Sequence, residues 1–497
     1  MDASLLRWSH VTSTASLVLL TTLLLGVLYK ATSRAVKIPK PLDEEVPNLW
    51  SRKQAFFTDA RRLLEKYHHR FKSQPFGIDA MDGLNIVLPL ETMDELKSNP
   101  AVEFRATIER EFLTPYTGVG QIYDWGVHEI RARMNPTLGA YVPIFHNLIQ
   151  GHLEKSFGSP AEWTTFKPHE HIVELVAILS ARIMQGEDAA RNPAWIKFAL
   201  SFVNTAVEYG TALKPWPKFL RPVVKNFLPE RVEMEKRKAE GREIVAKAMA
   251  NRRAAGPENP PTMMDHLSTG DHANKADDLE LQLWLQMALA AVSIHTTSST
   301  MTQVLYDLAA NPEYTKELRA EVEEVLAQSG GVFTKQSLGE LKKLDSWIKE
   351  SFRMGGPDLA TFQRLTLEPL TLKDGTYIPV GTKLEVPTAA VNYNPAIYPN
   401  PDTFDGLRSY RMRQEEGMAH KHSFVSVSRN ELGWGFGKHA CPGRFFSDIV
   451  IKLTFAELLL NYDIKNLDGQ PRPKNTDFGL VVMPDSEHQV LVRARTT

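Results

Sequence analysis

The chain has 497 residues, 43% of them apolar and 24% charged, and its 58 basic and 59 acidic side chains give a net charge of −1. That composition supports a sizeable buried core, excludes dominant disorder, and leaves no overall field for nucleic acid. The single cysteine, Cys441, excludes an intramolecular disulfide and any zinc site built on two thiolates.

Val11–Tyr29 is a run of nineteen residues without a charge. As a helix it spans roughly 28 Å, enough for a hydrocarbon core of about 30 Å. A cleaved signal peptide is the competing reading, but the small-x-small matches Ala31-Thr32-Ser33 and Ser33-Arg34-Ala35 lie inside a basic stretch with Lys30, Arg34, Lys37 and Lys40. That basic flank, opposite Arg7 alone, predicts a membrane anchor with the bulk of the chain on the cytoplasmic side. Pro39, Pro41 and Pro47 stiffen the connector that follows. Residues 1–38 thus read as anchor and linker, and 39–497 as one large domain.

A charged helical run, Glu230–Arg253, ends at Ala254–Pro261, which reads as a surface loop. The longest helical pattern follows, Asp277–Ala310, with acids at its N-terminus and Asn311-Pro312 to end it. Glu280, Gln282, Gln286 and His295 argue against a second membrane span, so this helix is expected to cross the middle of the core. Helices over Pro312–Gln328 and Leu338–Met354 come next, the latter stopping at Gly355-Gly356-Pro357. Strands are expected at Leu370–Lys373 and Tyr377–Ile378 around a type I′ Asp374-Gly375 turn, and at Lys383–Val386. The sequence therefore predicts a mainly α domain with a minor sheet after residue 360, against an alternating α/β architecture.

The chemistry concentrates in Gly433-Trp434-Gly435-Phe436-Gly437-Lys438-His439-Ala440-Cys441-Pro442-Gly443-Arg444. Cys441 opens a predicted helix, Phe445–Asn461, where unpaired N–H groups and the positive helix end favour a charged sulfur. An anionic sulfur in an aromatic-lined loop suits ligation of haem iron. Two other readings stand beside it. One is a buried structural cysteine. The other is a dinucleotide loop, since Gly435-x-Gly437-x-x-Ala440 fits the glycine fingerprint and Phe424–Val427 supplies a strand, although Arg429–Leu432 separates strand from glycines.

The loop resembles that of the cytochrome P450 haem-thiolate monooxygenases, in their membrane-bound, fungal-type form. The family pattern falls on Trp434, Gly437, His439, Cys441 and Gly443, with Trp434 where Phe is usual and His439 where Arg is more common. Upstream, Glu350-Ser351-Phe352-Arg353 resembles the family's E-x-x-R helix, and Pro401-Asp402-x-Phe404-x-x-x-Arg408 its partner segment. The resemblance implies a buried Glu350–Arg353–Arg408 network that locks the core behind the cysteine loop. Ser293-Ile294-His295-Thr296-Thr297 resembles the oxygen-activation motif, with Ser293 in place of a glycine and His295 in place of an acid. By resemblance, Thr296 serves protons on the dioxygen side, with His295 and Thr297 beside it.

For the haem propionates the resemblance points to His439, to Arg364 in the strand after the Glu350–Arg353 helix, and to Arg131. Trp125, His128, Arg131 and Arg133 resemble the family's haem-contacting helix, except that Glu129 occupies the position where its Trp-x-x-x-Arg spacing requires arginine. The resemblance implies one cytochrome P450 domain holding haem b, with Cys441 as axial iron ligand. It implies oxidation of a lipophilic small molecule with dioxygen and electrons from NADPH-cytochrome P450 reductase, at the endoplasmic reticulum membrane with the haem domain cytosolic. Lys438 and Arg444 flank the loop as candidate parts of the reductase-docking face. Apolar segments at Leu289–Ile294, Leu359–Phe362 and Phe478–Val482 favour a lipophilic ligand. The His-Thr-Thr-Ser sequence and Arg444-Phe445-Phe446 resemble fungal enzymes of terpenoid secondary metabolism, so a diterpenoid, meroterpenoid or indole-terpene is the expected substrate. Two alternatives remain: a haem-thiolate isomerase or dehydratase without dioxygen, against which Thr296-Thr297 argues, and a non-catalytic membrane-tethered haem-binding protein.

Overall fold

A computed structural model describes residues 37–121, 123–269 and 273–495. The expected anchor at 11–29 lies outside the described residues, among which no helix is long and apolar enough to cross a membrane. The helices that position the site are α1 (Leu49–Arg70), α2 (Asn135–Phe157), α3 (Pro168–Met184), α4 (Leu279–Ala310), α5 (Lys342–Gly355) and α6 (Arg444–Asn461). Helix α4 is the axis of the fold. It begins two residues later than the acids suggest, because Asp278 is its cap: Leu281 N–H donates to Asp278 Oδ1 at 3.0 Å. One core gathers Tyr141 and Phe145 of α2, Leu175 and Leu179 of α3, Met301 and Leu305 of α4, Phe352 of α5 and Leu453 of α6. Burying such side chains contributes about 1.5–3 kcal/mol each, which is what seats α4 between its neighbours.

The expected helix over Leu338–Met354 is broken. A short helix, Lys335–Glu340, stops before Leu341, and α5 starts anew at Lys342. The cause lies on the preceding helix, Thr315–Gln328, where the Glu321 carboxylate accepts from Lys343 N–H (2.7 Å) and Leu344 N–H (2.9 Å). That contact caps α5 from outside.

The sheet content departs further from expectation. Strands β1 (Phe76–Ala80), β2 (Gly83–Val87) and β3 (Val102–Glu103) come from the first quarter of the chain. They join β5 (Ala360–Thr366) and β8 (Lys383–Pro387) in a five-stranded sheet of order β1-β2-β8-β5-β3. A sheet confined to residues beyond 360 is therefore incorrect. Strand β1 is buried along its whole length, so it carries no in-out alternation to read. A smaller sheet, β4 (Thr164–Phe166), β12 (Val490–Ala494) and β9 (Tyr462–Asn466), closes the C-terminus. Strands β6 (Leu370–Thr371) and β7 (Tyr377–Ile378) pair as a hairpin, but in its turn only Gly375 takes a positive φ, 84°. Type I′ needs two such residues, so the turn is of another kind. The remaining strands, β10 (Thr476–Phe478) and β11 (Val481–Met483), form a separate hairpin.

Candidate active site

Cys441 lies in the turn just before α6, half-buried, and its N–H donates to the Trp434 carbonyl at 2.8 Å. That bond closes the loop. Gly435 and Gly437 take φ of 81° and 66°, and a Cβ on Gly435 would stand 3.3 Å from the His439 carbonyl oxygen. Side chains are disfavoured at both positions, so the alternating glycines let the chain fold back over the cysteine. The N–H groups of Gly443 and Arg444 donate to the sulfur, yet burial outweighs them and pushes the Cys441 thiol up. The N–H groups act in the direction expected from sequence, and a metal cation bound at the sulfur would add to them against burial. Residues 424–427 form no strand before the glycines, which removes the support for a dinucleotide loop.

Trp434 anchors the loop to the core. Its Nε1 donates to the Phe424 carbonyl at 2.6 Å, and its ring stacks on Phe352 of α5 with centroids 4.9 Å apart. Two residues before Phe352 begins a buried ionic network. Glu350 Oε1 accepts from Arg353 Nη2 (2.8 Å), Arg408 Nε (3.1 Å) and Asp405 N–H (3.1 Å), while Oε2 accepts from Arg353 Nε (2.9 Å). The arginines spend their remaining donors on the carbonyls of Asn392 (2.6 Å) and Thr403 (2.9 Å). Sequence reasoning missed the charges flanking this network. Lys349 pairs with Glu431, and Lys452 of α6 reaches Asp345 of α5 at 2.8 Å. Only their charge in otherwise apolar helix patterns hinted at partners.

On the other flank of the loop stands a cluster of cations. Arg131 lies in a π-helical turn, Ile130–Met134, and its Nη2 donates to the carbonyls of Lys438 (2.8 Å) and Ala440 (3.1 Å). Arg133 points elsewhere, to the His266 carbonyl. Glu129, which stands where the spacing calls for arginine, is buried and pairs with Arg133 at 3.3 Å. Trp125 lies beneath Lys275, whose Nζ is 5.0 Å from the ring centroid. Arg364 is only 3% exposed; it donates to the Gln363 carbonyl (2.7 Å) and lies over the Phe362 ring at 4.3 Å. Phe362 has a left-handed φ of 50° inside a bulge of β5, and this kink sets the path of the strand into Arg364. Burial lowers the Arg364 pKa to about 10, and Glu103 offsets only part of that. His439 is pushed down to about 4, by burial first and then by Arg364 and Lys438.

Among the described residues none of Arg131, Arg364, Lys438 and His439 has a carboxylate within ion-pair distance. Arg364, buried without an acid beside it and with the exposed Arg131 and Lys438 on the same flank, calls for an anionic partner. The two carboxylates of iron protoporphyrin would supply it, and the Cys441 sulfur would hold the iron. The residues present fit this group.

The oxygen-motif residues diverge around α4. Thr296 is exposed and Val292 is 55% exposed although both sit mid-helix, so protein leaves this face uncovered. Thr296 Oγ1 donates to the Val292 carbonyl at 2.6 Å. Thr297 turns inward, 3.1 Å from Ser447 Oγ of α6. His295 Nε2 is buried without a hydrogen-bond partner, and burial, then His169 of α3, lowers its pKa. Of the three, only Thr296 reaches the open face. Two of the apolar segments meet, since Leu359 N–H donates to the Leu480 carbonyl at 2.8 Å.

Residues 128–492 match the family model described as cytochrome P450. The chain is 34% identical over 456 residues to the cytochrome P450 monooxygenase braC of Annulohypoxylon truncatum, covering 89% of this chain and 90% of that one. It is 33% identical over 497 residues to the cytochrome P450 monooxygenase ccsG of Aspergillus clavatus, covering 95% and 96%. Among solved structures, retinoic acid-bound cyanobacterial CYP120A1 superposes with a TM-score of 0.70 at 18% identity, covering 93% of this chain and 100% of that one.

Proposed function

The chain belongs to the cytochrome P450 family, in its fungal type, as a haem-dependent monooxygenase, and on that premise we propose that it oxidises a lipophilic, terpenoid-type secondary metabolite. Two electrons come from NADPH through NADPH-cytochrome P450 reductase. The reaction balances as one C–H bond, dioxygen, NADPH and a proton giving an alcohol, water and NADP⁺. When bound, haem supplies the iron at which dioxygen is reduced.

The chain's own residues hold that chemistry in place. The Cys441 sulfur accepts from Gly443 and Arg444 N–H, and the Phe352–Trp434 stack fixes the loop that carries it. Arg131 and Arg364 neutralise the propionates, and His439, uncharged at neutral pH, offers them an N–H. Thr296 keeps its lone pairs free to accept a hydrogen bond while its proton rests on the Val292 carbonyl. His295 and Thr297 act behind it, as neighbours rather than as contacts of the reacting atoms. The observation that carries the lipophilic substrate is the apolar Val292 left uncovered next to Thr296 at the middle of the core helix. A hydrocarbon skeleton covers that face favourably, at about 25 cal/mol per Å².

Residues 1–38 serve as membrane anchor and linker, and 39–497 as the haem domain. The anchor places the domain at the cytosolic face of the endoplasmic reticulum, where lipophilic substrates partition. The test is reconstitution with reductase, NADPH and candidate terpenoids under isotopically heavy dioxygen, with metabolite profiling of a gene deletion to supply the candidates. The expected product carries one heavy oxygen. A product formed without NADPH or dioxygen overturns the reading in favour of an isomerase or dehydratase.

A further inference from the structure

Away from the cysteine loop, one group of three His, Cys, Asp or Glu side chains among the described residues brings its possible ligand atoms within 4.8 Å of one another: His152, His171 and Glu174. His152 stands near the end of α2. His171 and Glu174 are three apart on α3, so they share one face of that helix. We propose that these side chains form a binding site for a divalent transition-metal ion of the zinc type, bridging α2 to α3.

The donor set argues first. Two imidazoles and a carboxylate suit zinc, and three protein ligands leave a fourth tetrahedral position for water. Zinc–ligand bonds of about 2.0–2.2 Å bring donors closer together than in the metal-free arrangement, so side chains must close by roughly 1 Å. Glu174 is free to make that movement. Its ion pair with Lys155, at 3.6 Å, joins side chains that are 74% and 40% exposed, and pairs of this kind hold weakly.

The surroundings argue second. His152 is only 6% exposed, and its Nε2 lies 2.8 Å from the His171 carbonyl oxygen and 3.3 Å from Ser156 Oγ. The carbonyl only accepts, so it holds the ring by one nitrogen and leaves the lone pair on the other. That is the arrangement by which a backbone carbonyl orients a metal-binding imidazole. The His171 ring is held as well, stacked on Phe166 with centroids 4.7 Å apart. Both histidines line a cavity whose other walls include Leu153, Phe157, Ile172, Leu175 and Met301 of α4. An apolar wall behind a polar cluster limits water around a bound ion. The ion would fasten α2 to α3, the helix whose His169 Nδ1 lies 3.1 Å from Thr302 Oγ1 of α4.

The test uses the full-length, haem-loaded protein without an affinity tag, stripped with a chelator that spares haem. Zinc chloride is then titrated against a chromophoric zinc indicator. The expected result is one zinc per chain at micromolar or lower Kd, a higher Tm with zinc, and no such effect of magnesium. His171→Ala and Glu174→Gln should each weaken binding tenfold or more and His152→Asn further still, with the carbon monoxide spectrum unchanged. If His152→Asn does not fold, the two half-buried positions decide. Failure of the wild type to bind zinc, or equal binding by the His171 and Glu174 variants, overturns the proposal.

Discussion

The two sides of the cysteine loop are built on opposite principles. Behind it, Glu350, Arg353 and Arg408 are 2%, 6% and 6% exposed, and each charged group is matched by partners. On the α4 side and in the cation cluster, matching stops. His295 Nε2 and Arg444 Nε are buried without partners, and Arg364 has only its neighbour's carbonyl. Polar groups that hold a fold are satisfied within it, whereas groups meant for a ligand wait for one. Ser351 Oγ and Trp347 Nε1 of α5 also lack partners, so what sets the two sides apart is the pairing of their charges.

The largest effect should come from breaking the satisfied side. Glu350→Gln or Arg408→Ala leaves an uncompensated buried charge and should cost about 3–5 kcal/mol. The measurable outcome is a lower Tm with loss of haem incorporation. A variant with wild-type Tm and haem content would show that the network is not what holds the loop.

The open side should respond in activity and not in stability. Thr296→Ala removes a hydroxyl whose hydrogen bond lies within its own helix, so haem content and Tm should hold. Removing a proton-handling group typically costs ~10²-fold or more in the step it serves. NADPH oxidation should continue while product falls and hydrogen peroxide rises. Wild-type coupling in this variant would shift the proton role to His295, and His295→Ala would then separate the two.

A smaller effect is expected where the cluster awaits its anion. Arg364→Gln removes a charge-assisted partner of the propionates, worth about 1.5–3 kcal/mol. Haem should dissociate faster to an acceptor such as apomyoglobin. At the same time the haem-free protein should be no less stable, because a buried charge without an acid has gone. Equal haem loss from variant and wild type would place the propionates elsewhere. The smallest effect belongs to Trp434→Phe, which keeps the stack on Phe352 and loses one hydrogen bond to Phe424, about 0.5–1.5 kcal/mol. A Tm drop as large as that of Glu350→Gln would show that the loop is held by Trp434 and not by the network.

What the sequence reveals follows the range of the forces involved. The cysteine loop is legible because glycines with positive φ, an aromatic and a lone thiol fall within a dozen residues. Helix α4 is legible because its cap, Asp278, is adjacent to it. The break before α5 is not, because the cap comes from Glu321 on another helix. Strand β1 hides for the same reason: its two faces are covered by distant chain, which erases the alternation. The Arg131 position is obscured by a π turn, Ile130–Met134, which shifts the helical register so that spacing alone misplaces the side chain. The thiol shows which force the sequence leaves out. Helix-end N–H groups and the Arg444 and Arg131 charges favour the thiolate, and burial of the sulfur opposes them.

That balance makes one measurement the most direct. The absorption spectrum of the reduced, carbon monoxide-bound protein should be recorded for the wild type and for Cys441→Ser. The account predicts the red-shifted Soret band of thiolate-ligated haem in the wild type and its complete loss in the variant, since no second cysteine exists to replace Cys441. The same band in both proteins, or an imidazole-type band in the wild type, would contradict it.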